Sequence, residues 1–375
     1  MGALAIICWL TCSAAIMALR PFSRAVGLLD RPGGRKTHEG DVPLVGGLGM
    51  FIAVAVGMWL MPATDIHTPL LIGACALLVG VGVADDRFDI AARGRLIVQL
   101  VAALIVILAL GTDLTLSFGR AFGTSQALVL SGLPAIAASL LLIGGAINAF
   151  NMIDGMDGLA GSMALIALAG FGWLATHAHD AYTAQVCFIA LGATAGFLMF
   201  NLPLVVNRPW RVFMGDAGST LLGFLTAIVA LRLTQGPAAV APVTVLWLAA
   251  LPVCDLLVTM LRRVLGGRSP FHADRGHFHH RLADAGLTAP ATLLVLCVTA
   301  ACLALAGLWM HAVRVPEALQ LGAFFGVMAL LAFASSTAPR WTAFLPAWSQ
   351  KGNARPPTDI RIGTEPDEEQ GLQGK

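Results

Sequence analysis

An all-α, polytopic integral-membrane fold is what this sequence predicts, and three features predict it. The chain is 57% hydrophobic and only 12% charged, with a mean hydropathy of +0.80, far from the balance of a soluble domain. Apolar stretches recur almost end to end, and a bilayer core of roughly 30 Å takes about 20 apolar residues per helix. The basic residues favour alternate connections, the charge asymmetry that orients membrane helices.

The first stretch, 2–19, has no Lys or Arg before it and five soon after it. That is the reverse of a cleavable signal peptide, so this segment is expected to remain as an anchor. Further spans are expected at 44–61, 69–84, 96–111, 131–150, 159–176, 183–201, 218–233, 239–257, 290–309 and 319–337, eleven in all. The connections 20–43, 85–95, 201–217 and 258–289, with the tail, hold all but three of the 23 Lys and Arg. The three exceptions are Arg120, Arg314 and Arg232. This places the N-terminus outside and the C-terminus inside. Most outward connections are short. The exception, 112–129, carries Thr, Ser and Gly and is expected to form a small hairpin. No repeat or compositional break splits off a soluble domain, so residues 1–337 are read as one membrane unit and 338–375 as a cytosolic tail. From about residue 352 the tail is rich in Pro, Gly and Glu, a composition that leaves a chain disordered. All seven Cys fall inside apolar spans and read as small packing residues. A net charge of +2 says little about partners, but a nucleic-acid binder would concentrate its excess in a basic stripe, so no nucleic-acid partner is expected.

Chemistry concentrates in the inward connections. Asp85 and Asp86, in VADDRFDI, stand where a helix meets water. Adjacent carboxylates raise each other's pKa unless a cation relieves them, and Mg²⁺ is held mainly by carboxylates and phosphate oxygens. The pair reads either as such a site or as an ordinary hydrated helix flank. In NAFNMIDGMDGLAG, Asn148, Asn151, Asp154 and Asp157 recur every third residue, with Gly155 and Gly158 leaving room for a ligand. Oxygen donors of this kind suit Mg²⁺ better than zinc; the alternative is a Gly-rich turn with Asn and Asp as turn formers. VFMGDAGST sets Asp216 between two glycines at a helix start, where exposed amides attract phosphate, and Phe213 offers a face for a base. Helix capping by Asp216 and packing by Phe213 are the plainer readings. The loop RSPFHADRGHFHHRL gathers Arg268, His272, Asp274, Arg275, His277, His279, His280 and Arg281. No Cys is near to complete a zinc set, and Arg with His donors fits phosphate or sugar hydroxyls; a solvated basic loop is the rival. Arg35 and Lys36 read first as topogenic charge, and Asp255, an acid inside a span, as one half of a structural pair.

Taken together and in this order, these segments resemble the polyprenyl-phosphate N-acetylhexosamine-1-phosphate transferase superfamily (glycosyltransferase family 4) over about residues 20–337. Thr234-Gln235-Gly236, the SPFxxDR pattern at 269–275 and the HxHH run at 277–280 are similar to its undecaprenyl-phosphate N-acetylglucosamine-1-phosphate transferase branch. Phe278 interrupts the histidines where the muramoyl-pentapeptide branch has three in a row. The resemblance implies transfer of N-acetylglucosamine 1-phosphate from UDP-N-acetylglucosamine to undecaprenyl phosphate, releasing UMP and starting a lipid-linked surface polysaccharide such as O antigen. Another UDP-amino sugar is the nearest alternative, and a transporter a remote one. It also implies a multi-pass protein of the bacterial inner membrane with its site on the cytosolic face. Mg²⁺ is the implied cofactor, with Mn²⁺ able to substitute, and a homodimer is left open. By position, Asn151 and Asp216 match metal ligands, Asp85, Asp86, Asp154 and Asp157 match catalytic carboxylates, and Phe213 matches the residue that stacks on uracil. Arg95, Arg275, His277, His279 and His280 match contacts to phosphate and sugar. Direct attack by the lipid phosphate, with Asp85 taking a proton, is favoured; a covalent route through an Asp stays open.

Overall fold

A computed structural model of the chain describes residues 1–31, 40–62, 67–109, 115–203, 209–236, 240–270, 274–342, 344–346 and 349–350. Among the described residues, nine helices are long and apolar enough to cross a membrane. They are α1 (Gly2–Leu19), α3 (Thr68–Phe88), α4 (Ala92–Ala109), α5 (Leu133–Ile153), α6 (Leu159–His177), α7 (Ala181–Asn201), α8 (Gly215–Gln235), α12 (Ala289–Ala312) and α13 (Glu317–Ser336). The predicted all-α polytopic architecture is therefore what the chain forms, with two of the eleven expected spans altered.

The first is α2 (Gly46–Leu60), which has 15 residues and reaches roughly 22 Å, short of a full crossing. Its first amides are used elsewhere: Gly46 N donates to Phe213 O at 2.9 Å and Gly47 N to Met214 O at 3.0 Å. The second is the stretch expected at 239–257, which is split into α9 (Pro242–Leu248) and α10 (Ala250–Leu265), bent by 87°. Pro252 has no amide to give, and its ring competes with the carbonyl of Leu248 four residues earlier, so the helix breaks between them. As a result α10 carries Arg262 and Arg263 on its last turn. Likewise α3 runs four residues past its expected end at 84 and takes Asp85 and Asp86 into its last turn.

The hub of the bundle is α8, which packs against α2, α3, α5, α6, α7 and α9. Small residues let backbones meet there, as in other membrane bundles. A Cβ on Gly82 of α3 would overlap the backbone of Ala217, one on Gly47 the backbone of Gly218, and one on Gly223 the Ile147 Cα at 2.7 Å. These contacts draw the start of α8, the end of α3 and the end of α5 into one place.

At the other end of the bundle, the expected hairpin is present as antiparallel β3 (Thr115–Ser117) and β4 (Val129–Ser131). It is tied to the end of α8 by Gln235, which accepts from Ser117 N at 2.7 Å and donates to Ser117 O at 3.0 Å. A second pair, β1 (Leu29–Asp30) and β2 (Val42–Pro43), lies before α2. The beginning of the expected tail is folded: α14 (Ala338–Thr342) packs on the short helix α11 (Phe278–Asp284), and Thr288 N donates to Ser349 O at 2.8 Å. The stretch from 352 expected to be disordered lies outside the described residues.

Candidate active site

Four helix ends build one acidic cluster. At the end of α3, Asp89 adopts a left-handed conformation with φ 51°, closing the helix. The turn returns Ile90 N to Asp85 Oδ1 at 2.7 Å and launches α4, whose first turn carries Arg95. Arg95 Nη1 then bridges two carboxylates, donating to Asp85 Oδ2 and to Asp216 Oδ2, the latter at 2.7 Å. From α5, Asn151 Nδ2 donates to Asp216 Oδ1 at 2.7 Å and to Ser219 Oγ at 3.1 Å. At the start of α8, Gly215 has φ +68°, and a Cβ there would overlap the Asp86 carboxylate. Glycine thus lets Asp216 N reach Asp86 Oδ1 at 2.9 Å. Asp216 sits in the first turn of α8, where the helix dipole favours negative charge.

Asp154 follows α5 directly. Enclosure raises its carboxyl to about 8, and the neighbouring charges of Asp216, Asp157 and Asp86 push the same way. Asp157 is held by Arg211 at 2.7 Å, and the Arg211 guanidinium lies 4.7 Å over the Phe213 ring. In this conformation the half-buried face expected to stack on a base carries an arginine instead. The two loops are joined by Asn201, which accepts from Gly158 N at 2.6 Å and donates to Val212 O at 2.9 Å. Of the four residues in three-residue phase, only Asn148 turns away. It is exposed and donates to Gly144 O, because the helix continues past it and carries it to another face.

The histidine loop is anchored from α10. Buried Asp255 accepts from His277 Nδ1 and from Phe278 N, both at 2.7 Å, fixing the start of α11. Asp255 is thus a structural partner, as its sequence context suggested, with His277 as the group it holds. Buried Arg263 pairs with Asp274 at 2.9 Å, and its hydrogen bond keeps the Asp274 carboxyl down at about 2. Arg262 donates to Ala332 O at 2.7 Å and Ser335 Oγ at 2.6 Å on α13. His279 is buried, neither of its ring nitrogens is hydrogen-bonded among the described residues, and burial lowers its pKa to about 3. Its Nε2 faces Gly155, where an added Cβ would overlap it. The close approach that Gly155 permits is therefore that of His279. His280 lies 4.1 Å from His279, ring centre to ring centre, while Arg275 pairs at the surface with Asp284 at 2.9 Å. Arg35, Lys36 and His272 lie outside the described residues.

The site therefore unites Asp85, Asp86, Arg95, Asn151, Asp154 and Asp216, with Asp157 and His279 at its edge. Sequence reasoning passed over Asn201, Arg211, Ser219 and Arg263. Asn201, a polar residue at the last position of an apolar span, was the one of these with a visible signal. The donor set fits a hard divalent cation: the carboxylate of Asp216 stands beside the amide of Asn151, with Asp86 Oδ1 on the Asp216 amide. Among the described residues no three Asp, Glu, His or Cys side chains are grouped so as to hold a metal ion by themselves. Asp85 has donors on both oxygens, Ile90 N and Arg95, so it is a holder of Arg95. Asp86 Oδ2 has no such donor among the described residues.

Comparison with known proteins agrees with this geometry. The sequence profile of glycosyl transferase family 4 matches residues 68–234, the segment that supplies every member of the acidic cluster. The chain is 34% identical over 340 residues to the undecaprenyl-phosphate alpha-N-acetylglucosaminyl 1-phosphate transferase of Yersinia pestis, covering 90% of this chain and 92% of that protein. It is 36% identical over 316 residues to the Escherichia coli (strain K12) protein of the same name, covering 84% of each. The Haemophilus influenzae protein of that name is 34% identical over 290 residues, 76% of this chain and 81% of its own.

Proposed function

Since this chain belongs to glycosyl transferase family 4, we propose that it transfers N-acetylglucosamine 1-phosphate from UDP-N-acetylglucosamine to undecaprenyl phosphate at the inner membrane, beginning a lipid-linked surface polysaccharide such as O antigen. The observation that carries this reading is the convergence of Asp85, Asp86, Asn151, Asp154 and Asp216 around one arginine, at helix ends. Acids of a transporter gather near the bilayer midplane between repeated halves; these do not.

In the reaction, an oxygen of the lipid phosphate attacks the β-phosphorus of the nucleotide sugar. A new diphosphate bond forms, the α–β bond breaks, and UMP leaves with the electron pair. Asp216 and Asn151 would hold Mg²⁺, which would supply the charge neutralisation that two anionic reactants need. The remaining work belongs to the chain. Asp85 and Asp216 hold Arg95 at the mouth of the cluster, where its guanidinium meets incoming phosphate in fixed orientation. Asp86 offers a buried, unoccupied oxygen to the proton of a monoanionic lipid phosphate. Asp157 and Arg211 form one wall beside Phe213, whose ring becomes available to uracil when Arg211 swings onto the diphosphate. Placement at the ends of α3, α5 and α8 on the cytosolic side lets the lipid enter sideways and the nucleotide from water, and holding both in line replaces an encounter between two solutes.

The test is a panel of radiolabelled UDP-sugars with undecaprenyl phosphate and purified protein, with and without EDTA. UMP release and a labelled lipid from UDP-N-acetylglucosamine alone, abolished by EDTA and restored by Mg²⁺, are expected. Asp216→Ala and Asn151→Ala are expected to insert normally and turn over at background. Wild-type turnover by either variant at limiting Mg²⁺ rules out the metal assignment.

A further inference from the structure

The end of the bundle farthest from the acidic cluster holds a second feature that the transfer reaction does not use. A cavity of about 680 Å³ opens between the β-hairpin, the start of α9 and the α12–α13 connection. Its lining includes Arg120, Thr124, Thr244, His311, Arg314 and Glu317. Both arginines are exposed, and neither guanidinium has a hydrogen-bond or ion-pair partner among the described residues. The one acid, Glu317, turns an oxygen to the backbone amide of Arg120 at 2.8 Å. The first turn of α13, with its partial positive charge, also opens on the cavity.

The placement of these two arginines is what calls for an explanation. Lys and Arg are depleted from the connections at this end of the molecule, where only Arg120, Arg232 and Arg314 occur. Arg232 is accounted for within the fold, 4.3 Å over the Tyr182 ring and bonded to Thr183. The other two meet in one cavity. With Glu317 they leave a single excess positive charge, the complement of one phosphodiester. Trp309 and Leu319, each within two residues in sequence of a lining residue, are 63% and 65% exposed, and a tryptophan near the end of a span marks the boundary between acyl chains and headgroups.

We propose that this cavity is a phosphate site, filled by the headgroup phosphodiester of an anionic phospholipid from the leaflet opposite the acidic cluster, with Arg120 and Arg314 as its donors. A soluble phosphate has the same recognition chemistry, so the experiment separates the two sources. Thermal unfolding of the full-length protein in neutral detergent, followed by tryptophan fluorescence, is measured against added phosphatidylglycerol, phosphatidylcholine and inorganic phosphate. The expected result is saturable stabilisation by phosphatidylglycerol alone. Its apparent affinity should weaken about tenfold or more in Arg120→Gln/Arg314→Gln, which loses two charge-assisted contacts, and remain in Arg93→Gln, an exposed arginine near the other end. Stabilisation by inorganic phosphate that depends on the same two arginines keeps the site and overturns the lipid as its source. Equal effects of phosphatidylcholine, or an effect of phosphatidylglycerol that the double variant retains or Arg93→Gln loses, overturn the site. UMP release by Arg120→Gln/Arg314→Gln shows independently that the variant is folded.

Discussion

Gly155→Ala is the substitution that bears most directly on how the two halves of the site meet. Gly155 has no positive φ, so alanine fits the backbone, and on that ground alone the change would stabilise by about 0.4–1 kcal/mol. The new methyl, however, lands on His279 Nε2 and within 2.6 Å of Cε1. His279 cannot easily yield: it is buried, and its ring lies between His277 at 6.0 Å and His280 at 4.1 Å. Overpacking of this kind costs about 1–3 kcal/mol, so the sign of the change reverses. Thermal unfolding should show a lowered transition, and kcat/KM for UMP release should fall about tenfold or more, because displacement of Asp154 and His279 by an ångström disturbs in-line alignment. The double variant Gly155→Ala/His279→Ala removes the obstruction, and in that background the added methyl should cost nothing in stability. A Gly155→Ala protein as stable as the parent, or a methyl whose cost is unchanged without His279, would refute the contact between the histidine loop and the acidic turn.

Two further predictions concern the same loop. Asp255→Asn keeps an acceptor for Phe278 N but turns an amide group or a neutral oxygen toward His277 in place of the carboxylate. Losing a buried hydrogen bond to a carboxylate costs about 1.5–3 kcal/mol, and limited proteolysis between 265 and 278 should accelerate while the acidic cluster still binds nucleotide. The pH dependence follows from His279, whose pKa falls from 6.5 to about 3 on burial. The unfolded loop therefore binds the extra proton between these values, so stability is complete above pH 6.5 and declines as pH falls below it. At pH 5 the loss from this one residue is about 2 kcal/mol, and His279→Gln should flatten the decline of unfolding temperature between pH 7 and pH 5.

Much of this was legible in the sequence because membrane insertion and ion binding leave patterns in composition. The apolar lengths placed the nine crossing helices found among the described residues, and acids at their ends marked Asp85, Asp86, Asp154 and Asp216, since a carboxylate there needs water, a partner or an ion. What was not legible depends on tertiary contact. Nothing local to Pro252 distinguishes a kinked span from a broken one; that is decided by what the two halves pack against. The resemblance implies Arg95 as a phosphate contact, and only the fold shows it already shared between Asp85 and Asp216. Three-residue phase correctly grouped Asn151, Asp154 and Asp157, yet it also included Asn148. A period of 3.0 drifts from the helical 3.6 by about 60° per step, half a turn over three steps, so the outermost member leaves the face.

The arrangement of Arg95 also explains how so much negative charge is stored at a bilayer edge before any substrate arrives. Asp85, Asp86, Asp154 and Asp216 stand together with one guanidinium among them, and Asp154 responds with a carboxyl raised to about 8, so it holds its proton at neutral pH. The cluster is thus partly discharged by a proton and partly by Arg95. A divalent cation delivered there would change both terms at once, releasing the proton from the enclosed acid and weakening the hold on the arginine, which would then be free to turn to phosphate. Nucleotide and cation should therefore bind with positive coupling, each increasing the affinity of the other by the same factor, and Arg95→Gln should reduce that factor while tightening the cation alone. Calorimetric titration of the cation with and without UMP measures the coupling. A ratio of one in the parent protein, or an undiminished ratio in Arg95→Gln, rules out the guanidinium as the link between the two.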